Sequence, residues 1–74
     1  MNKDDIYYLI SVKKTFEFSF NGKNYNLTYG TEPDGKEYIS FGERYMGTKF
    51  YSFGELMNKA KVENYFFKDL LESL

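Results

Sequence analysis

The side chains available for chemistry here are carboxylates, lysines, serines and tyrosines, because the chain contains neither Cys nor His. Without His, the commonest general base and metal ligand is missing. Without Cys, so are the thiolate nucleophile and the thiolate zinc site. The acids Asp4/Asp5, Glu32/Asp34 and Glu37/Glu43 fall at a helix start, in a turn and on strand flanks, where solvated carboxylates belong. None lies within a segment expected to be buried, so no raised carboxyl pKa is expected. The serines have no His to activate them, and Ser52 is better explained as a helix cap. Calcium-loop spacing is absent, since Thr31–Lys36 carries only Glu32 and Asp34. The six glycines form neither G-x-G-x-x-G nor a Gly-rich loop ending in Lys-Ser/Thr, so no phosphate cradle is expected. These residues predict a protein that is not an enzyme and takes no cofactor and no metal.

The aromatic content points elsewhere, with eight Phe and eight Tyr among 74 residues. Each ring is large, and each Tyr hydroxyl needs a partner when buried. The inward set expected below uses Phe16, Phe18, Phe20, Tyr25, Leu27, Tyr29, Ile39, Phe41, Phe53 and Phe67. Tyr7 or Tyr8, Tyr38, Tyr45, Phe50, Tyr65 and Phe66 are left over. A small domain exposes apolar surface in any case. Yet the only arginine, Arg44, stands beside Tyr45 in Gly42-Glu43-Arg44-Tyr45-Met46, and aromatics with an Arg are the usual anchors of interfaces. Tyr38, Arg44, Tyr45, Phe50 and Tyr51 are therefore the candidate partner-binding residues. The expected function is a small interaction or inhibitor-type module that binds a larger protein. The alternative is a single-strand nucleic-acid binder that uses stacking rings and lysines. It is the weaker reading. The formal net charge is −1, the lysines are interleaved with acids, and the expected open sheet face carries Tyr38 as its one aromatic.

These residues must be positioned by short elements, and 74 residues suffice for one small domain, 1–74. Asn2 suits an N-cap, and Ile6, Leu9, Ile10 and Lys13 fall at i, i+3, i+4 and i+7. A helix over about Lys3–Val12 follows. Phe16, Phe18 and Phe20 alternate with polar residues, as do Tyr25, Leu27 and Tyr29, and Asn21-Gly22 stands between the two runs. Asn-Gly suits a type I′ hairpin turn, because both central residues need positive φ. That loop pairs Phe18 with Tyr25 and Phe16 with Leu27, which sets the large apolar residues on one face. Pro33-Asp34-Gly35 is a second turn, and Glu37–Glu43 a third strand, with Gly42 marking a bulge or bend near its end. Ser52-Phe53-Gly54-Glu55 reads as a capping box before a short helix carrying Phe53, Leu56, Met57 and Ala60. A last helix is expected over about Tyr65–Ser73. The fold class is α+β: an N-terminal helix, a three-stranded antiparallel meander, and two C-terminal helices packed on one face of the sheet.

The frame Phe16-x-Phe18-x-x-x-Gly22-Lys23-x-Tyr25-x-Leu27-Thr28-Tyr29-Gly30, then Gly35-Lys36-x-Tyr38-Ile39-Ser40-Phe41, then Ser52-Phe53-x-Glu55-Leu56, resembles a group of short bacterial α+β proteins of unknown function. Those motifs are structural, so the resemblance implies the fold and brings no catalytic residues. In size and aromatic-rich make-up the chain is also similar in style to phage-encoded small inhibitors such as anti-CRISPR proteins. Acids at the start of the chain and the short apolar run Ile6–Ile10 do not fit a secretory signal. Nothing approaches the roughly 18 apolar residues of a membrane span. The expected location is the cytoplasm. In a meander of order 1-2-3 the first and third strands are edges, and a weak homodimer is expected through strand three or the Tyr45–Tyr51 surface.

Overall fold

The computed structural model describes all 74 residues. Helix α1 (Lys3–Ser11) is followed by strands β1 (Phe16–Phe20), β2 (Lys23–Thr31), β3 (Glu37–Glu43) and β4 (Thr48–Phe50). After these come helix α2 (Phe53–Lys59), a small hairpin of β5 (Lys61–Val62) and β6 (Tyr65–Phe66), helix α3 (Phe67–Leu70) and a 3₁₀ turn at Leu71–Ser73. The protein is α+β, with an antiparallel sheet in the order β1-β2-β3-β4.

Asn2 and Asp5 cap α1 reciprocally: each side chain accepts from the other's backbone N–H, at 3.0 and 2.9 Å. The helix ends where Lys13 takes a φ of 54°, so that Lys14 N–H reaches Leu9 O (2.9 Å) and Lys13 N–H reaches Ile10 O (3.1 Å). This crossed pair of bonds is the Schellman ending, with lysine where glycine is usual. Asn21 and Gly22 both have positive φ, 51° and 78°, and the hairpin takes the expected register, Phe18 opposite Tyr25 and Phe16 opposite Leu27.

The sheet departs from expectation in its fourth strand. β4 pairs along β3, with Ile39 opposite Phe50 and Phe41 opposite Thr48. Strand three is therefore interior, and its edge is closed to a second copy. The edges are β1 and β4. No bulge forms at Gly42, since the pairing of β2 with β3 runs unbroken from Thr31–Glu37 to Tyr25–Glu43. The C-terminal helix also starts later than periodicity suggests. Tyr65 and Phe66 spend their backbone bonds on Lys61 and Val62, and the turn between them places Glu63 at a φ of 57°. Of the expected capping box at α2, Ser52 Oγ accepts from Glu55 N–H at 3.0 Å, but Glu55 makes no return bond.

All helices lie on one face of the sheet. Phe67 is fully buried there, its ring 4.3 Å from Phe41 and 5.8 Å from Phe18. α1 docks at the other end of that face, where Ile6 is buried and the Tyr29 hydroxyl lies 2.7 Å from Lys14 O and 3.1 Å from Leu9 O. Every buried residue is hydrophobic. No helix is long and apolar enough to cross a membrane. The opposite face carries Glu17, Ser19, Asn24, Asn26, Thr28, Tyr38, Ser40 and Lys49, and no element covers it.

Candidate interaction surface

The candidate partner-binding residues separate into three places. Phe50 is a core residue, 6% exposed, because β4 carries it onto the inner face beside Ile39. It cannot be a surface anchor, which corrects the expectation from sequence. Its outward neighbour in the same strand is Lys49.

Tyr38 and Tyr51 belong to a cluster that satisfies itself. Lys49 Nζ donates to Glu32 Oε1 at 2.8 Å and lies 4.6 Å from the centre of the Tyr38 ring. The Tyr51 hydroxyl donates to the same Glu32 oxygen at 3.3 Å, and Lys36 Nζ sits 4.5 Å over the Tyr51 ring. The Tyr38 ring also lies flat against Gly30, where an added Cβ would come within 2.3 Å of the hydroxyl. Here glycine is required so that the ring can cover the strand. The bond from Lys49 holds the Glu32 carboxyl below its ordinary pKa, and the same bond raises that of Lys49. Desolvation, followed by the charge of Glu32, pushes the Tyr51 phenol up. Rings and charges in this cluster already have partners.

Arg44 and Tyr45 stand at the far end of β3, roughly 20 Å away at about 3.3 Å per residue. They occupy the β3–β4 loop, which is pinned by Arg44 N–H to Asn24 O and by Met46 N–H to Glu43 O, both 2.8 Å. Gly42 makes room for the return of that loop, since a Cβ there would meet Met46 O at 3.0 Å. The loop raises a knob. Tyr45 is 90% exposed and Met46 71%, and the Arg44 guanidinium lies 5.1 Å from the Tyr45 ring centre. Tyr45 also has a φ of 70°, a conformation that bulky side chains seldom adopt.

Beneath the knob lie two shallow polar hollows on the open face. Arg44 borders one, with Glu17, Ser19 and Asn24; Tyr45 borders the other, with Thr28 and Ser40. Asn26 lines both, and its Oδ1 is buried without a hydrogen-bond partner. A buried acceptor without a donor carries a desolvation cost that an incoming N–H or O–H would remove. Alternation along β2 sets Asn26 on the open face but gives no sign of its orphaned oxygen, nor of Lys36 and Lys49 as ring partners. Thr48-Lys49-Phe50 is too short to set a period, so nothing in the sequence signals the outward placement of Lys49. No group of three or more acidic residues is placed to hold a metal ion. No family model matches the chain, and searches of curated proteins and of solved structures likewise found no match.

Proposed function

We propose that this chain is a small interaction module that binds a larger protein through the β3–β4 knob and the polar hollows beneath it. The observation that carries the reading is Tyr45, held at a φ of 70° and 90% exposed. An exposed ring in a costly backbone conformation gives nothing to the core, whereas a rigid aromatic beside an arginine is the usual anchor of an interface. Asn26 Oδ1 supplies the adjacent polar contact, accepting from a partner's backbone or hydroxyl donor. Tyr51 and Tyr38 are outside this site. An inhibitor role and a cytoplasmic setting fit the small size and the stylistic likeness to phage-encoded inhibitors.

The nucleic-acid alternative draws support from the lysine–tyrosine pairs around Lys49. It is weakened there too, because Lys36 and Lys49 already cover the two rings and Glu32 stands between them. The test is a photo-crosslinking residue in place of Met46, expressed in the native host, with Arg44→Ala and Tyr45→Ala tested beside it. One cross-linked protein partner is expected, lost in both variants and kept in Tyr51→Ala. A partner retained in Tyr45→Ala overturns the site. Salt-sensitive binding of short single strands by the purified chain would favour the alternative.

A further inference from the structure

The two edges of the main sheet are guarded differently. β4 is three residues long and carries Lys49, and a short edge bearing a lysine is a protected edge. β1 is five residues long, with no proline, bulge or lysine, and Glu17 is its one charge. Its hydrogen-bonding phase follows from its neighbour. Arg44 N–H donates to Asn24 O at 2.8 Å and Glu32 N–H to Lys36 O at 2.7 Å, so the even residues of β2 face β3 and the odd ones face β1. Phe16, Phe18 and Phe20 therefore bond to β2, opposite Leu27, Tyr25 and Lys23. Glu17 and Ser19 turn their N–H and C=O groups to the open edge.

The side chains along that edge are also incompletely covered. Phe16, Phe18 and Phe20 point to the inner face yet remain only half-buried. Phe18 has Tyr25 at 5.5 Å and Phe67 at 5.8 Å on the core side. Phe20 meets the edge of Tyr65, itself 54% exposed. We infer that β1 is a homotypic docking edge, at which two copies of this chain pair β1 antiparallel about a two-fold axis at Phe18 and merge their sheets.

The occupant is a second copy because the strand is its own complement. Phe16-Glu17-Phe18-Ser19-Phe20 reads almost identically in both directions, as an isologous contact requires. About Phe18, the ring row of one copy continues into that of the other, with Phe16 opposite Phe20. Glu17 then stands opposite Ser19, so the register holds no like-charge pair. Centring on Glu17 instead would oppose two carboxylates, which is disfavoured. Glu17 and Ser19 also border the hollow beside Arg44, whereas Tyr45 and the second hollow play no part in this contact.

Sedimentation of the purified chain from about 1 µM to about 1 mM tests it. A monomer–dimer equilibrium is expected. Ser19→Glu creates two carboxylate pairs across the axis and should weaken the dimer roughly tenfold. Ser19→Lys creates two opposite-charge pairs and should tighten it by a similar factor. The same two substitutions at exposed Ser73 should leave the constant unchanged. A wild-type chain monomeric throughout, or a dimer that both Ser19 variants leave alone or shift in the same direction, overturns the inference.

Discussion

Tyr45 and Lys13 share a left-handed backbone conformation, with φ values of 70° and 54°, and neither is glycine. Their reasons differ. Lys13 closes α1 through the crossed bonds to Leu9 and Ile10, and its side chain pairs with Glu37 at the surface. Glycine at this position would make the same bonds without the Cβ penalty, and an exposed ion pair is worth little. Lys13→Gly should therefore stabilise the fold by about 1 kcal/mol. At Tyr45 the same substitution also relieves the backbone, and the ring it removes is 90% exposed, with the Arg44 guanidinium beside it. Tyr45→Gly should raise the denaturant midpoint by a similar amount while abolishing capture of the protein partner. Stability gained together with binding lost is the signature of strain kept for function. A Tyr45→Gly variant that loses stability would assign the ring a structural role instead.

Among the elements, the β1–β2 hairpin was legible because two independent constraints agreed on it. Asn21-Gly22 demanded a two-residue loop, and alternation from Phe16 to Tyr29 demanded the same register. Gly22→Ala tests that logic. Nothing lies within 4 Å of the added methyl, so the cost is that of the φ of 78° alone, about 1 kcal/mol by urea unfolding. β4 was not legible, because three residues hold no period. Without it Phe50 looked like a surplus surface ring, and Lys49 could not be laid across Tyr38. The C-terminal hairpin was hidden by the helical spacing of Phe67, Leu70, Leu71 and Leu74, which says nothing of Tyr65 and Phe66. Of the proposed site, Arg44 and Tyr45 are suggested by residue type alone, while the separation of Tyr38 and Tyr51 from them depends on β3 running between. Tyr25, at the centre of the hairpin, also carries a pH dependence. Burial raises its phenol pKa, with Glu63 adding to the rise. The unfolded phenol ionises near pH 10. Its contribution is thus complete below that pH and is lost as the pH climbs towards the raised folded value. Burial raises Tyr29 too. Tyr25→Phe should therefore reduce, without removing, the fall in stability between about pH 9 and 11, measured as urea midpoints.

For the molecule as a whole, cover is unevenly shared, and hydrogen exchange should resolve it. Thr28 and Ser40 bond to each other across the two central strands, which are flanked by β1 and β4. Their amides can exchange only when the sheet itself opens, at the global free energy. α1 contributes one fully buried side chain, Ile6, with Leu9 and Ile10 partly buried against the core and the Tyr29 hydroxyl donating to Leu9 O. It can detach while Phe67 still seals Phe41 and Phe18, so its amides should exchange through a smaller, local opening. Ser19 and Glu17 form a third class. Their amides point out of β1 at the free edge, and within one chain they have no strand to bond to. They should exchange close to the rate of unstructured peptide in dilute solution, although they sit in a strand between half-buried phenylalanines. If two copies pair at this edge, both amides slow as concentration rises, while those of Lys49 on the opposite edge do not change. Protection at Glu17 and Ser19 already complete in dilute solution would mean that some segment of the chain itself covers β1, and that edge would then be closed to a second copy.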